Sequence, residues 1–348
     1  MDSCGNMDTP SELISIIVPF RNESENILKC LDSITQQNYP VDKYEIIFVN
    51  DFSDDDSLYK ITGAIKPANI KVLSVPEDFS VNAHKKRAIR FGIENSSGEI
   101  IVTTDADCIH HRNWLSSILK CMDKETGFVS GPVEFTETDS LFGKLQKLEF
   151  SGLVLTGAGL IGINKPAICN AANIAYRRIA FDQVNGFNDQ MNLSSGDDEL
   201  LMQKIWKETK YKVKFCRNKE AVVKTLPNKT VKQFYNQRKR WASKGLFYAD
   251  HLLVIKLILI FLFYLSLPLQ LALSIIFPQI FAAVFLLSII LKSYFEFNIM
   301  KKGIGFLFHE ELLRLFLLAE ILHIPYIIIA GISGLFGNFA WKGRKVKR

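Results

Sequence analysis

The chain has 348 residues, 48% of them hydrophobic, and a formal net charge of +6; it is longer than one typical domain. Its average composition hides a split, since residues up to about His251 read as a soluble α/β protein while Leu252 onward is dominated by Leu, Ile and Phe. The charge is local, in Lys229, Lys232, Arg238, Lys239, Arg240 and Lys244 before the apolar region and Lys342, Arg344, Lys345, Lys347 and Arg348 after it. Such runs beside apolar spans match an anionic membrane face, and without the aromatic-basic interleaving of a nucleic-acid module no nucleic-acid partner is expected.

The first ten residues are polar and acidic, without the basic and apolar regions of a signal peptide, so the soluble part is expected in the cytosol. The cysteines show no C-x-x-C or Cys/His ligand spacing, and scattered thiols suit a reducing compartment. Ser15 to Phe20 is a β-branched run stopped by Pro19, a buried strand of a parallel sheet. Ser24 or Asn22 can then cap a helix carrying Ile27, Leu28, Leu31 and Ile34 at helical spacing. A second strand, Tyr44 to Val49, runs into Asn50-Asp51-Phe52-Ser53-Asp54-Asp55-Asp56. A helix over Ser57 to Ile65, a strand from Ile70 to Val75 and a helix from Ala83 to Glu94 lead to a strand over Ile100 to Thr104. This alternation predicts an α/β fold with a doubly wound, mainly parallel sheet.

The last of these strands ends in Asp105-Ala106-Asp107. Residues two apart in an extended chain point the same way, so both carboxylates can converge just past the strand, where open α/β sheets bind ligands. Hard oxygen ligands there suit Mg²⁺ or Mn²⁺ and the phosphates such an ion carries. A competing reading is an acidic turn in which Asp107 or His110 caps the next helix, ahead of Asn113 and Trp114. Two strands end in acid clusters, however, at Asp51 and at Asp105/Asp107, and in a parallel sheet both lie on one edge. No G-x-G-x-x-G follows the first strand, which argues against a dinucleotide-binding domain.

The segments Ile17-Val18-Pro19-Phe20-Arg21-Asn22-Glu23, Val49-Asn50-Asp51-Phe52-Ser53-Asp54-Asp55 and Thr104-Asp105-Ala106-Asp107 together resemble the N-terminal half of glycosyltransferase family 2, which has the GT-A fold. The resemblance implies a nucleotide-sugar donor held by Pro19, Arg21, Glu23, Asp51, Lys85 and Asp105, with Asp51 on the nucleoside. It puts Asp105 on the ribose-diphosphate and Asp107, with Asp105, on the metal. Where the family has Gly-Lys this chain has His84-Lys85, so only Lys85 carries across.

Beyond Gly131 the chain turns irregular, with a helix suggested by Phe142, Leu145, Leu148, Phe150 and Leu153. Cys169 to Arg178 reads as a strand followed by a turn at Asn185-Gly186, and the resemblance implies that its small residues admit the donor sugar. In Ser194-Ser195-Gly196-Asp197-Asp198-Glu199, Ser195 can cap a helix bearing Leu200, Leu201 and Ile205, with acids in its first turn. Three adjacent carboxylates repel one another, and a sugar hydroxyl needs a general base within hydrogen-bond reach. On the family's acidic motif that base is Asp198, with Asp197 as the neighbouring candidate. Gln237-Arg238-Lys239-Arg240-Trp241 fits Q-x-x-R-W, found in membrane-associated members that make extracellular polysaccharides. Gln237, Arg240 and Trp241 share a helical face, and the resemblance places the Arg near the leaving diphosphate and the Trp near the acceptor. An interfacial amphipathic helix explains the same aromatic and basic residues.

Leu252 to Leu271 and Leu273 to Leu291 are each long enough to cross hydrocarbon, with Pro268 and Pro278 marking kinks or the turn between passes. Lys292 to Lys302 reads as a polar loop. A third apolar run, Leu312 to Leu335, contains Arg314, Glu320, His323 and Pro325; it is re-entrant, interfacial, or a crossing that leaves the basic tail outside. The organisation expected is a cytosolic GT-A domain over 1–228, an interfacial helix over 229–251 and a membrane region over 252–348.

The function expected is an inverting, Mg²⁺- or Mn²⁺-dependent glycosyltransferase in a bacterial-type inner membrane. A UDP-sugar is favoured over a GDP-sugar as donor, with a polysaccharide or lipid-linked sugar as acceptor, and with membrane lipids and membrane subunits as partners. Two rivals are a degenerate, non-catalytic assembly subunit and a sugar-nucleotide-forming nucleotidyltransferase. The latter would want a Gly-rich basic loop where Pro19-Phe20-Arg21-Asn22-Glu23 stands.

Overall fold

The computed structural model describes residues 12–64, 68–77, 84–188, 196, 198–243, 248, 250–335, 339–341 and 344–346. The chain forms two compact units, Met1–Thr136 with Thr156–Leu226, and Glu137–Leu155 with Pro227–Arg348.

The first unit opens with β1 (Ile14–Phe20), α1 (Ile27–Thr35), β2 (Tyr44–Asn50), α2 (Ser57–Ala64), β3 (Ile70–Ser74), α3 (His84–Glu94) and β4 (Ile100–Thr103). It continues through α4 (Trp114–Leu119), β5 (Thr126–Ser130) and β6 (Val133–Phe135), and α5 (Leu141–Gly162) leads from the second unit back into it. β7 (Ile174–Arg177), α6 (Arg178–Gln183), α7 (Glu199–Glu208), β8 (Lys212–Phe215) and β9 (Val223–Thr225) complete it. Seven strands form one sheet in the order β3-β2-β1-β4-β7-β5-β8, and β6 pairs separately with β9. The sheet is mainly parallel, as expected; β7 alone among its described strands runs against its neighbours. Every residue of β1, β2 and β4 is buried, which is why these strands read as unbroken apolar runs rather than alternating ones.

Pro19 does not stop β1, which continues to Phe20. The Phe20 carbonyl accepts the Asp51 N–H at 2.9 Å on the β2 side, so the N–H that Pro19 lacks would face the β4 side. There the ladder ends at Ile17 with Thr103, so no sheet hydrogen bond is lost. Gly98, just ahead of β4, has to be glycine: a Cβ there would lie 2.4 Å from the Ser15 backbone nitrogen.

In the second unit, α8 (Val231–Ser243) precedes α9 (His251–Ile276), α10 (Pro278–Lys301) and α11 (Phe316–Leu335). Three helices, spanning His251–Ile276, Pro278–Lys301 and Glu310–Gly334, are long and apolar enough to cross a membrane. The first of these helices runs to Ile276 rather than Leu271, and Phe277 separates it from the second, which begins at Pro278. Pro268 lies inside α9. The expected polar loop from Lys292 is instead helix to Lys301. Its polar residues face partners: Lys292 Nζ lies 2.9 Å from Glu296 and 2.5 Å from Glu320 of α11, and Tyr264 of α9 donates to Glu296 at 3.1 Å. Paired in this way, charges are tolerated at membrane depth. Glu310, Glu311 and Arg314 form a 3-10 turn leading into α11.

Candidate active site

Loops after β1, β2 and β4 leave one edge of the sheet. Asp51 opens the second of them and is 3% exposed. A carboxylate so buried needs a cation, and Arg87 from the first turn of α3 forms an ion pair with it. Arg21 from the first loop donates to the Asp51 carbonyl at 3.1 Å and to that of Phe52, and pairs with Asp54 at 3.3 Å. Phe52 sits at φ +57°, a left-handed conformation rare for a bulky residue and costing about 1–3 kcal/mol. The two loops are stitched together around it. Asn22 N–H reaches Ser53 Oγ at 3.2 Å, Asp54 N–H reaches Asn22 Oδ1 at 3.0 Å and Ser24 N–H reaches Asp55 Oδ2 at 3.1 Å. Glu23 N–H donates to Ser57 Oγ at 2.7 Å, while the Glu23 carbonyl accepts the first N–H groups of α1. Asp54 and Asp55 thus join the loops, and Asp51 is the acid sunk into the sheet edge. Neither Ser24 nor Asn22 caps α1, whose N-cap is Asn26.

Past β4, Asp105 Oδ1 lies 2.6 Å from Lys85 Nζ of α3. Asp107 accepts from Thr225 Oγ1, at the end of β9, at 3.3 Å. Neither Asp107 nor His110 caps the next helix: α4 starts at Trp114 behind Asn113. His110 instead braces the loop, with Nε2 2.7 Å from Thr104 Oγ1 and Nδ1 3.0 Å from Ser33 Oγ. Burial pushes its pKa down to about 3, so the ring is neutral and both nitrogens are engaged. Burial, then the negative charges of Asp107 and Asp105, raise the Cys30 and Cys108 thiols, so neither is a thiolate. What this loop offers a metal is carboxylate oxygen, the donor set of Mg²⁺ or Mn²⁺.

Asp198 is the N-cap of α7, where the sequence suggested Ser195; Oδ1 accepts the Glu199 N–H at 2.7 Å. Its other oxygen accepts the Ala171 N–H at 3.1 Å, and the Ala171 carbonyl in turn accepts Thr103 Oγ1 at 3.1 Å. Asp198 is therefore tied through one residue to the last residue of β4, two positions before Asp105. Gly196, at φ +89°, supplies the left-handed turn before it. Asp197, Ser194 and Ser195 lie outside the described residues. In the segment expected to line the donor sugar, Asn173 is fully buried and structural: its amide donates to the carbonyls of Pro132 and Ala221 and accepts from Trp114 Nε1. The chain after β7 forms α6 before the Asn185-Gly186 turn rather than one strand.

In the second unit, α8 (Val231–Ser243), within the interval 229–251 where a helix is expected, carries Gln237, Arg240 and Trp241; residues 244–247 and 249 lie outside the described residues. Gln237 Oε1 accepts from Asn228 at 3.0 Å, Trp241 lies 6.0 Å from the Phe150 ring, and Arg240 is half-buried. Sequence reasoning gives no role to Arg87 or Thr225, and to His110 only that of a helix cap. Arg87 lay in a visible basic run, whereas the pairing of Thr225 with Asp107 spans 118 residues and leaves no local signal.

Comparison with known proteins decides the family. The glycosyl transferase family group 2 model matches residues 100–322, and the glycosyl transferase family 2 model matches residues 15–184. The chain belongs to glycosyltransferase family 2. Among family relatives, glycosyltransferase AglE of Haloferax volcanii is 29% identical over 192 residues, covering 55% of this chain and 60% of that protein. Poly-beta-1,6-N-acetyl-D-glucosamine synthase of Staphylococcus epidermidis is 25% identical over 239 residues, covering 67% and 55% respectively. The chain thus spans little more than half the length of these relatives. Mannosyltransferase PcManGT from Pyrobaculum calidifontis, solved with GDP-Man and Mn²⁺, shares the fold at a TM-score of 0.55 and 20% identity, over 93% of this chain and 87% of that one. This member of the family therefore has the GT-A-type architecture expected, followed by three long apolar helices.

Proposed function

We infer that this transferase moves a sugar with inversion from a nucleotide-sugar donor to a polysaccharide or lipid-linked acceptor at the cytosolic membrane face. One observation carries the reading: Asp198, far along the chain from the D-x-D loop, is tethered through Ala171 to the end of the strand that bears Asp105 and Asp107. In this reading Asp51 and Arg21 hold the nucleoside end of the donor, with Pro19 and Glu23 shaping the same loop. Lys85 and Asp105 meet the ribose-diphosphate. A divalent cation, Mg²⁺ or Mn²⁺, held by Asp107 and Asp105 supplies charge stabilisation to the diphosphate. Asp198 takes the proton from the acceptor hydroxyl as its oxygen bonds to the anomeric carbon, while the bond to the diphosphate breaks on the opposite face. The two N–H bonds to Asp198 do not by themselves exhaust the roughly four lone-pair sites of a carboxylate, so capping and base roles are compatible. Gln237, Arg240 and Trp241 serve the departing diphosphate and the acceptor.

A UDP-sugar is the donor proposed, with a GDP-sugar as the alternative. The likeness to a polysaccharide synthase favours a glycan acceptor. A screen of sugar nucleotides against the detergent-solubilised protein, reading released nucleotide, tests the reading. Turnover of one UDP-sugar supports it, and pyrophosphate release or binding without turnover overturns it.

A further inference from the structure

We propose that Arg238 and Glu149 are positioning residues that fix the Gln237 amide of Q-x-x-R-W; the proposal rests on the transferase reading above. Arg238 occupies a variable position of that motif, yet it is 4% exposed and ion-paired with Glu149 of α5. Its guanidinium lies between two rings of its own helix, 4.5 Å from the Phe234 centroid and 4.3 Å from that of Trp241. Tyr326 of α11 donates to the same Glu149 carboxylate at 2.6 Å. A guanidinium held in this way is planar, stacked and bidentate, a combination lysine cannot copy.

The consequence falls on Gln237. Its Oε1 accepts from Arg238 at 2.6 Å and from Asn228 Nδ2 at 3.0 Å. Arg238 has donors only, so the amide oxygen must face it. Asn228 is fixed in turn, its N–H and Nδ2 donating to Gln146 Oε1 at 3.0 and 3.1 Å while Gln146 donates back to the Asn228 carbonyl at 3.0 Å. With the carbonyl side occupied twice, the half-buried Gln237 turns its NH₂ group the other way, as a preset pair of donors. Preset donors are what a developing diphosphate charge or a sugar hydroxyl requires. Stability alone does not explain the arrangement, because a buried ion pair contributes little over well-packed apolar residues.

A double-mutant cycle on the full-length protein in detergent tests this, with kcat and KM measured for the donor it turns over. Arg238→Lys is expected to lower kcat at least tenfold with little change in donor KM, and Gln237→Ala to lower it by a similar factor. The double variant is expected to be no slower than Gln237→Ala alone. Glu149→Gln, which removes the charge and one of the two oxygens that accept from Arg238, provides the same comparison should Arg238→Lys fold poorly. Losses that multiply in the double variant, or full activity of Gln237→Ala in an active enzyme, overturn the proposal while leaving the transferase reading standing. Absence of turnover in the unmodified protein with every donor overturns both.

Discussion

Asp198 Oδ2 accepts the Ala171 backbone N–H at 3.1 Å while its Oδ1 caps α7. Removing the side chain should therefore cost both a cap, about 1 kcal/mol, and a buried N–H left without its partner, about 1–3 kcal/mol. Asparagine caps as well as aspartate but has one acceptor oxygen, so Asp198→Asn keeps the cap and leaves the Ala171 N–H unpaired, an expected loss of about 1–3 kcal/mol, while Asp198→Ala loses the cap as well and falls about 1 kcal/mol further. Thermal unfolding in detergent measures the difference; equal losses in both variants would mean that the cap contributes nothing and the second oxygen holds this part of the fold.

Arg87 and Asp51 form a buried pair, with side chains 8% and 4% exposed. Removing one partner of such a pair is far more costly than removing both. Arg87→Met is expected to lose about 3–5 kcal/mol, and Arg87→Met with Asp51→Asn to recover most of it. The single and double variants, compared by denaturant unfolding, give the coupling directly.

His110 makes stability depend on pH. Its folded pKa is depressed from 6.5 to about 3 by burial, so below pH 6.5 the unfolded chain takes up a proton that the folded one refuses. Stability is full above that value and declines by up to about 1.4 kcal/mol per pH unit on the way down. Glu45 and Asp123, held low against burial by hydrogen bonds that include Lys71 and Lys214, act in the same direction only nearer the ordinary carboxylate range. Unfolding followed between pH 6.5 and 5 should therefore slope in the unmodified protein and lie nearly flat in His110→Gln.

Lys292, with a 3% exposed side chain, lies between Glu296 and Glu320 among the apolar helices. Lys292→Met should destabilise the protein by about 3–5 kcal/mol, and adding Glu320→Gln should restore much of that. Thermal midpoints of the two variants in one detergent check this; an unchanged midpoint in Lys292→Met would show that the pair contributes nothing.

What the sequence disclosed follows from burial. β1, β2 and β4 are covered on both faces and announce themselves as apolar runs, and their shared direction puts Asp51, Asp105 and Asp107 on one edge. β5 carries little signal of its own, being five residues with a glycine inside, where a Cβ would lie 2.4 Å from Tyr211 Cβ. The reversed direction of β7 has no local signature. Lys292 and Glu296 looked like a loop because their partners sit on other turns and another helix. The acids of the site could be read from strand ends, but Arg87 on Asp51 and Thr225 on Asp107 are joined only by the fold.

The central claim is that the carboxylate of Asp198, held beside the D-x-D loop, acts as the base in metal-dependent sugar transfer. The most direct measurement is nucleotide release from the preferred sugar nucleotide by full-length protein, with Mn²⁺, Mg²⁺ or chelator, for the unmodified chain and for Asp198→Asn and Asp107→Asn. The account predicts release that needs the metal, falls by about 10²–10⁴-fold in Asp198→Asn with the fold intact, and falls in Asp107→Asn in a way that added metal partly restores. Undiminished release by a folded Asp198→Asn protein would contradict it.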